Sequence, residues 1–103
     1  MTSITLDPVL HAPVRLQVAA VLAHVSEAEF ARLRAIAEVS DSVLSKHLSA
    51  LAEAGYIRLR KAALDGRQRT WAALTPAGRK AFASHVAALR ALVESAGQAI
   101  AAE

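Results

Sequence analysis

Three serines and a lysine, Ser42, Ser45, Lys46 and Ser49, fall on one side of the segment 40–54 when it is wound at 3.6 residues per turn. A hydroxyl can donate or accept, and a lysine offers three donors with no acceptor. Such groups suit a surface that mixes hydrogen-bonding edges with negative charge. A second group follows at once in the chain. Between positions 58 and 69 stand Arg58, Arg60, Lys61, Arg67 and Arg69, with Asp65 the one acid among them. Cations at this density bind phosphate or protect the edges of a solvated strand pair.

The elements that carry these groups are legible from period and punctuation. In 40–54, Leu44, His47, Leu48, Leu51 and Ala54 make an inward stripe opposite the serines, with Glu53 on the outer side. Ser40 is a good N-cap, Asp41 complements the helix dipole, and Gly55 suits a left-handed end. From Tyr56 the rhythm changes to alternation. Ile57 and Leu59 fall on one face, with Tyr56, Arg58 and Arg60 on the other. Asp65-Gly66 marks a turn, and 69–75 reads as a second strand, giving a hairpin with a loop of several residues. Trp71 points away from Leu74 and reads as packing support for the hairpin rather than a stacking platform.

Upstream, Asp7 and Pro8 suit a short helical turn, and Pro13 opens a first long helix over 13–25 that is apolar nearly all round. Ser26 and Glu29 have capping-box spacing; the favoured alternative is a short extended piece at 27–29 with a helix starting near Phe30. That helix turns Phe30, Leu33, Ile36 and Ala37 inward. Thr75-Pro76 opens a last helix to about residue 101, in which Phe82, Val86, Leu89, Val93, Ala96 and Ile100 are spaced as an a/d seam. The order is helix, helix, helix, hairpin, helix, within one domain over 1–103.

Two helices with a tight turn, the second bearing short polar side chains outward, fit a helix-turn-helix followed by a basic wing. Ser40, Asp41, Ser42, Ser45, Lys46 and Ser49 are the candidate contacts in a DNA major groove. Serine suits base or phosphate, lysine suits guanine O6/N7 or phosphate, and Asp41 suits a cytosine amino group. Arg58, Arg67 and Arg69 are the candidate phosphate contacts, with Arg67 and Arg69 near the tip ahead of Arg58; Arg58 and Arg60 could instead pair with acids. Arg32 and Arg34 are weaker candidates. The first and last helices hold more apolar surface than one core of this length needs. Val14, Val18, Val21, Phe82, Val86, Leu89, Val93 and Ile100 are therefore the expected homodimer interface. A two-fold pair would set two reading helices about 34 Å apart.

The segments "FARLRAIAEVSDSVLSKHLSALAEAGYI", "DGRQRTWAAL" and "LTPAGRKAF" together resemble a winged helix-turn-helix transcriptional regulator of the MarR/ArsR-like kind. "LDPVLHAPVRLQVAAVL" is similar to the start of the small MarR-like members. The resemblance spans residues 6 to about 93. It implies that the helix at 41–54 enters the major groove, that 56–74 is the wing, and that the terminal helices pair two subunits over a last helix at 76–101. Glu38 departs from the pattern, standing where the family often has glycine.

The rest of the composition narrows the field. The chain has 103 residues, a net charge of +3 and no cysteine, so disulfides and thiolate metal sites are ruled out. No run is apolar enough to span a membrane, and the start lacks a secretory pattern, so a cytoplasmic protein is expected. His11, His24, His47 and His85 have no metal-ligand spacing, and His47 lies on the inward stripe; no metal or cofactor is expected. No nucleophile–base pair or phosphate-cradling glycine loop points to an enzyme. The expected partners are double-stranded DNA and a second copy of the chain, and no residue cluster names a small-molecule effector. The competing reading is a winged-helix module that docks protein without reading DNA; such a module has no need of a basic wing.

Overall fold

The structure, a computed structural model, describes residues 4–102. In chain order the elements are α1 (Pro13–Leu22), β1 (Ala28–Glu29), α2 (Phe30–Ala37), α3 (Asp41–Glu53), β2 (Ile57–Leu64), β3 (Arg67–Leu74) and α4 (Pro76–Ala101). The three strands form an antiparallel sheet in the order β1-β3-β2. The helices, the hairpin and their order agree with the expectation from sequence. So does the extended piece before Phe30, which makes Glu29 the residue preceding α2 and leaves the Ser26 capping box unused.

Each boundary has a local cause. Pro13 opens α1 at a position where its missing N–H costs nothing. Asp7 closes the turn before it: its Oδ1 accepts from the Val9 and Leu10 amides, and the His11 amide donates to its carbonyl. Ser40 caps α3 by accepting from the Val43 amide at 3.2 Å. At the other end of α3 the Gly55 amide donates to Ala52 and the Tyr56 amide to Leu51, with Gly55 at φ +80°. This paired closure is the usual left-handed ending of a helix. Thr75 caps α4 through Gly78, and Pro76 is its first residue.

One core holds these pieces together. Leu10, Val18, Ala19, Leu22, Leu33, Leu44, Leu48, Leu51, Ile57 and Leu74 are buried in it, and Ala28 and Ala72 face each other where β1 crosses β3. Three expected inward residues differ. Ile36 is exposed near the end of α2, Ala54 is the exposed residue that ends α3, and His47 is only half-buried. Burial, followed by the neighbouring Arg15 charge, holds the His47 ring below the usual histidine range. The Arg15 guanidinium lies 3.3 Å from its Nδ1, which makes that nitrogen the acceptor.

The hairpin is longer and tighter than the sequence suggests. The strands pair from Ile57↔Leu74 to Leu64↔Arg67, so the loop is Asp65-Gly66 alone rather than several residues. Both have positive φ (53° and 75°), the two-residue turn whose twist matches that of its strands.

Glu38 also adopts the left-handed conformation, at φ 54° and ψ 47°, between α2 and α3. A side chain there strains the backbone by about 1–2 kcal/mol relative to glycine. Glu38→Gly is therefore expected to raise the urea unfolding midpoint by an amount worth roughly 0.5–1 kcal/mol, the range left once glycine's looser unfolded chain is counted. An unchanged or lower midpoint would mean that the turn is not strained.

Candidate nucleic-acid interface

The outward side of α3 is assembled by its inward side. Leu44, Leu48 and Leu51 lock the helix into the core, and Ser42, Ser45, Lys46 and Ser49 are left exposed on the opposite surface. None of Ser45, Lys46 and Ser49 has a side-chain hydrogen bond among the described residues, so their donors and acceptors face water. Ser40 and Ser42 lie 3.2 Å apart, Oγ to Oγ, beside the helix start. Asp41 is held by Arg34, whose Nη1 donates to Oδ1 at 2.8 Å.

The wing divides its charges between two faces. Pairing places Arg58 opposite Ala73, Arg60 opposite Trp71, Ala62 opposite Arg69 and Leu64 opposite Arg67. Cross-strand partners share a face. Arg58, Arg60, Arg67, Arg69 and Trp71 therefore lie together, while Lys61 and Thr70 lie on the other face with Ile57, Leu59, Ala72 and Leu74. That second face is the one toward α3. Leu59, Lys61 and Thr70 line a cleft whose other walls are Phe30, Leu48, Ser45 and Ser49.

Two of the sequence-predicted wing contacts lie away from the hairpin tip. Arg69 is not at the tip; it sits within β3 and donates to Glu29 of β1 at 2.9 Å, with both side chains about two-thirds covered. Arg58 is exposed near the open end of the hairpin, opposite Ala73 and far from the turn, on the same face as Arg67. Arg60 on that face is also committed. It donates to both carboxylate oxygens of Glu27, at 2.7 and 3.3 Å, and lies 4.4 Å over the Trp71 ring. That bonding to Glu27 keeps its guanidinium more firmly protonated than usual. Trp71 thus supports the wing, as its type suggested. Arg67, at the tip, is exposed and has no ion pair among the described residues. Lys61 is the residue that sequence reasoning counted but did not single out. Its parity with Ile57 and Leu59 was the available signal.

The matching family model is a winged helix DNA-binding domain, and it covers residues 14–93. The chain belongs to this family. The winged-helix protein is 30% identical over 78 residues to an uncharacterised protein of Methanocaldococcus jannaschii, covering 76% of this chain and 85% of that one. Its fold matches that of a transcriptional regulator homologue from Pyrococcus horikoshii with a TM-score of 0.79, at 24% identity over 84% of this chain and 86% of that one. A protein described as a possible transcriptional regulator for arsenical resistance is 34% identical, with a TM-score of 0.56 over 84% and 78% of the two chains. The resemblance carried by the α3, wing and "LTPAGR" segments is thereby borne out.

The expected dimer residues separate into three groups in the winged-helix chain. Val18 is 1% exposed and belongs to the chain's own core, so it has no surface to offer a second copy. Val14, Val21 and Phe82 pack partly against that core, and Val86 and Leu89 are half-buried. Val93 and Ile100, each 71% exposed, stand clear. Every described residue of α4 from Arg90 onward is exposed, and the molecule measures 63 × 26 × 21 Å.

A polar cluster that the sequence did not disclose ties the turn before α1 to the residue before β2 and to α4. The Tyr56 hydroxyl donates to Asp7 Oδ2 at 2.5 Å, and the Asp7 amide donates to His85 Nδ1 at 3.0 Å. Burial raises the Asp7 carboxyl, but the Tyr56 hydroxyl, the Val9 and Leu10 amides and His85 together leave it below the usual range. Bonding to Asp7, with burial, raises the Tyr56 hydroxyl. The depressed Asp7 contributes stability above its unfolded value that is lost as pH falls through the folded one. Tyr56 contributes stability that is lost as pH rises through its raised value. The cluster lines a cleft with Thr5, Val9, Lys80 and Ser84. Among the described residues, no helix is long and apolar enough to cross a membrane.

Proposed function

We propose that the chain is a homodimeric, sequence-specific regulator that binds duplex DNA and represses by occupying its site. The observation that carries this reading is the cleft between α3 and the wing. Its floor and walls bring Ser45, Ser49, Lys61 and Thr70 onto one surface, beside Lys46 and with no acid among the lining residues. A helix flanked by a strand pair at that spacing enters the major groove while the wing follows the backbone. In this reading Ser42, Ser45, Lys46 and Ser49 meet base edges and nearby phosphates. Ser40 frames the helix start, and Lys61 and Arg67 hold phosphates. The whole of 1–103 acts as one unit, with 41–54 reading, 56–74 clamping and 76–101 pairing the copies. A DNA partner fits a cytoplasmic protein. Repression by occupancy requires nothing beyond binding.

The dimer rests on the second half of α4. At 1.5 Å per residue the 26-residue helix is about 39 Å long, and its last turns have no body of their own to lie on. Helical turns without tertiary packing are marginal in water. A second copy laid along Leu89, Val93 and Ile100 would supply that packing.

Selection of bound sequences from a randomised duplex pool tests the reading. Lys46→Ala should flatten the selected motif at one or two positions. Lys61→Ala and Arg67→Ala should weaken all duplexes alike and reduce the salt slope by about 1 for each phosphate no longer neutralised. A folded wild-type chain that enriches no motif would reject the proposal.

A further inference from the structure

We propose that Asp41 is a specificity-determining residue whose carboxylate, neutralised and aimed by Arg34, accepts a hydrogen bond from the amino group of a cytosine in the major groove. The inference rests on the DNA-reading role proposed above and names the base that one position of α3 selects.

A carboxylate at the front of a groove-binding helix needs an explanation, because phosphates repel it. Three observations supply one. First, Asp41 is not needed as a cap. Ser40 performs that role by accepting from the Val43 amide, so the Asp41 side chain is free of the helix start it sits on. Second, Arg34 in the last turn of α2 donates to Oδ1 at 2.8 Å, which sets a positive charge against the carboxylate and ties down one of its two oxygens. Third, Oδ2 has no hydrogen-bond partner among the described residues, and the side chain is 68% exposed. The result is a positioned acceptor on the first residue of α3, where recognition helices contact base edges.

Acceptor chemistry narrows the choice of base. In the major groove only cytosine N4 and adenine N6 present donors, and adenine places its N7 acceptor beside the donor. A carboxylate with no donor of its own fits cytosine and is repelled by adenine N7. The pair is too exposed to matter much as a stabilising bridge. A role in orientation accounts for it better than a role in stability.

The test is selection from a randomised duplex pool by the full chain, in parallel for wild type, Asp41→Ala, Asp41→Asn and Arg34→Ala, with thermal unfolding of each. Wild type should enrich a motif with cytosine fixed at one position of each half-site. Asp41→Ala should lose about tenfold of that preference and keep the other positions. Asp41→Asn should shift the same position toward adenine, because an amide can accept from N6 and donate to N7. Arg34→Ala should blur that position and lower affinity overall. Unfolding midpoints should stay close to wild type. If wild type enriches a motif and Asp41→Ala enriches the same one with cytosine undiminished, the inference is wrong while the DNA-reading proposal stands. If wild type enriches nothing, both fall together.

Discussion

Gly78→Ala is expected to lower the free energy of unfolding by about 3 kcal/mol, near the upper end of what one inserted methyl group costs in a packed site. The reason is a backbone contact. A Cβ at this position would lie 2.0 Å from the Tyr56 carbonyl oxygen and 2.8 Å from its carbon. Neither atom can step aside, because the same carbonyl accepts from the Thr75 amide at 3.0 Å. Thr75 Oγ1 in turn donates to the Gly55 carbonyl at 2.6 Å and accepts from the Gly78 amide at 2.9 Å. The start of α4 is thus pinned onto the end of α3 at closest approach, which is why "AGYI" and "TPAG" occur in one chain. Gly97→Ala is the control: its Cβ meets nothing within 4 Å, and it sits in the exposed part of α4. There alanine should gain roughly 0.5–1 kcal/mol through helix propensity. Urea unfolding of both variants checks the pair, with midpoints moving in opposite directions and slopes unchanged. A Gly78→Ala midpoint within experimental scatter of wild type would show that α4 does not rest on the Tyr56 carbonyl.

The second large effect concerns assembly. Val93→Glu combined with Ile100→Glu should convert a dimer into a monomer in sedimentation equilibrium and leave unfolding of the winged helix itself nearly untouched. Both side chains are 71% exposed, so the single chain loses no packing by the change. The proposed dimer would bury them, and two like charges on a facing seam would oppose it. Affinity for a two-half-site duplex should then fall by about a hundredfold or more, since engagement of the second half-site is no longer intramolecular. Affinity for one half-site should hardly move. A wild-type chain that sediments as a monomer, or a double variant that stays dimeric, would remove the seam from the account.

How much of this was written in the residues can be judged position by position. The helices were legible because Leu44, Leu48 and Leu51 repeat at helical spacing, and because Ser40, Gly55 and Thr75-Pro76 punctuate them. The short strand before Phe30 was legible as an alternative to a capping box. The hairpin's length was not. Ala62, Ala63, Gln68 and the arginines have little strand character, and pairing across the sheet carried the strands to Leu64 and Arg67. Charge counting favoured arginines at the tip and passed over Lys61, although alternation put Lys61 in phase with Ile57. The fate of Arg69 depended on Glu29, 40 positions away in a two-residue strand, which no local pattern reports. For the same reason the Asp7–Tyr56–His85 cluster was invisible: its bonds span 49 and 78 positions. Val18 looked like interface because α1 is apolar all round, and only the packed chain shows which side its own core claims.

The most direct measurement is the affinity of the full chain for its selected duplex across a salt series from about 50 to about 200 mM, for wild type and for Ser45→Glu. If α3 lies in the groove with Lys61 and Arg67 on the rails, a dimer neutralises about four phosphates. The logarithm of affinity should then fall with a slope of about −4 against the logarithm of salt. A glutamate at the exposed Ser45 should abolish measurable binding without altering the unfolding midpoint. Binding that ignores salt, or a folded Ser45→Glu variant that binds as tightly as wild type, would place the DNA-contacting surface elsewhere on the molecule.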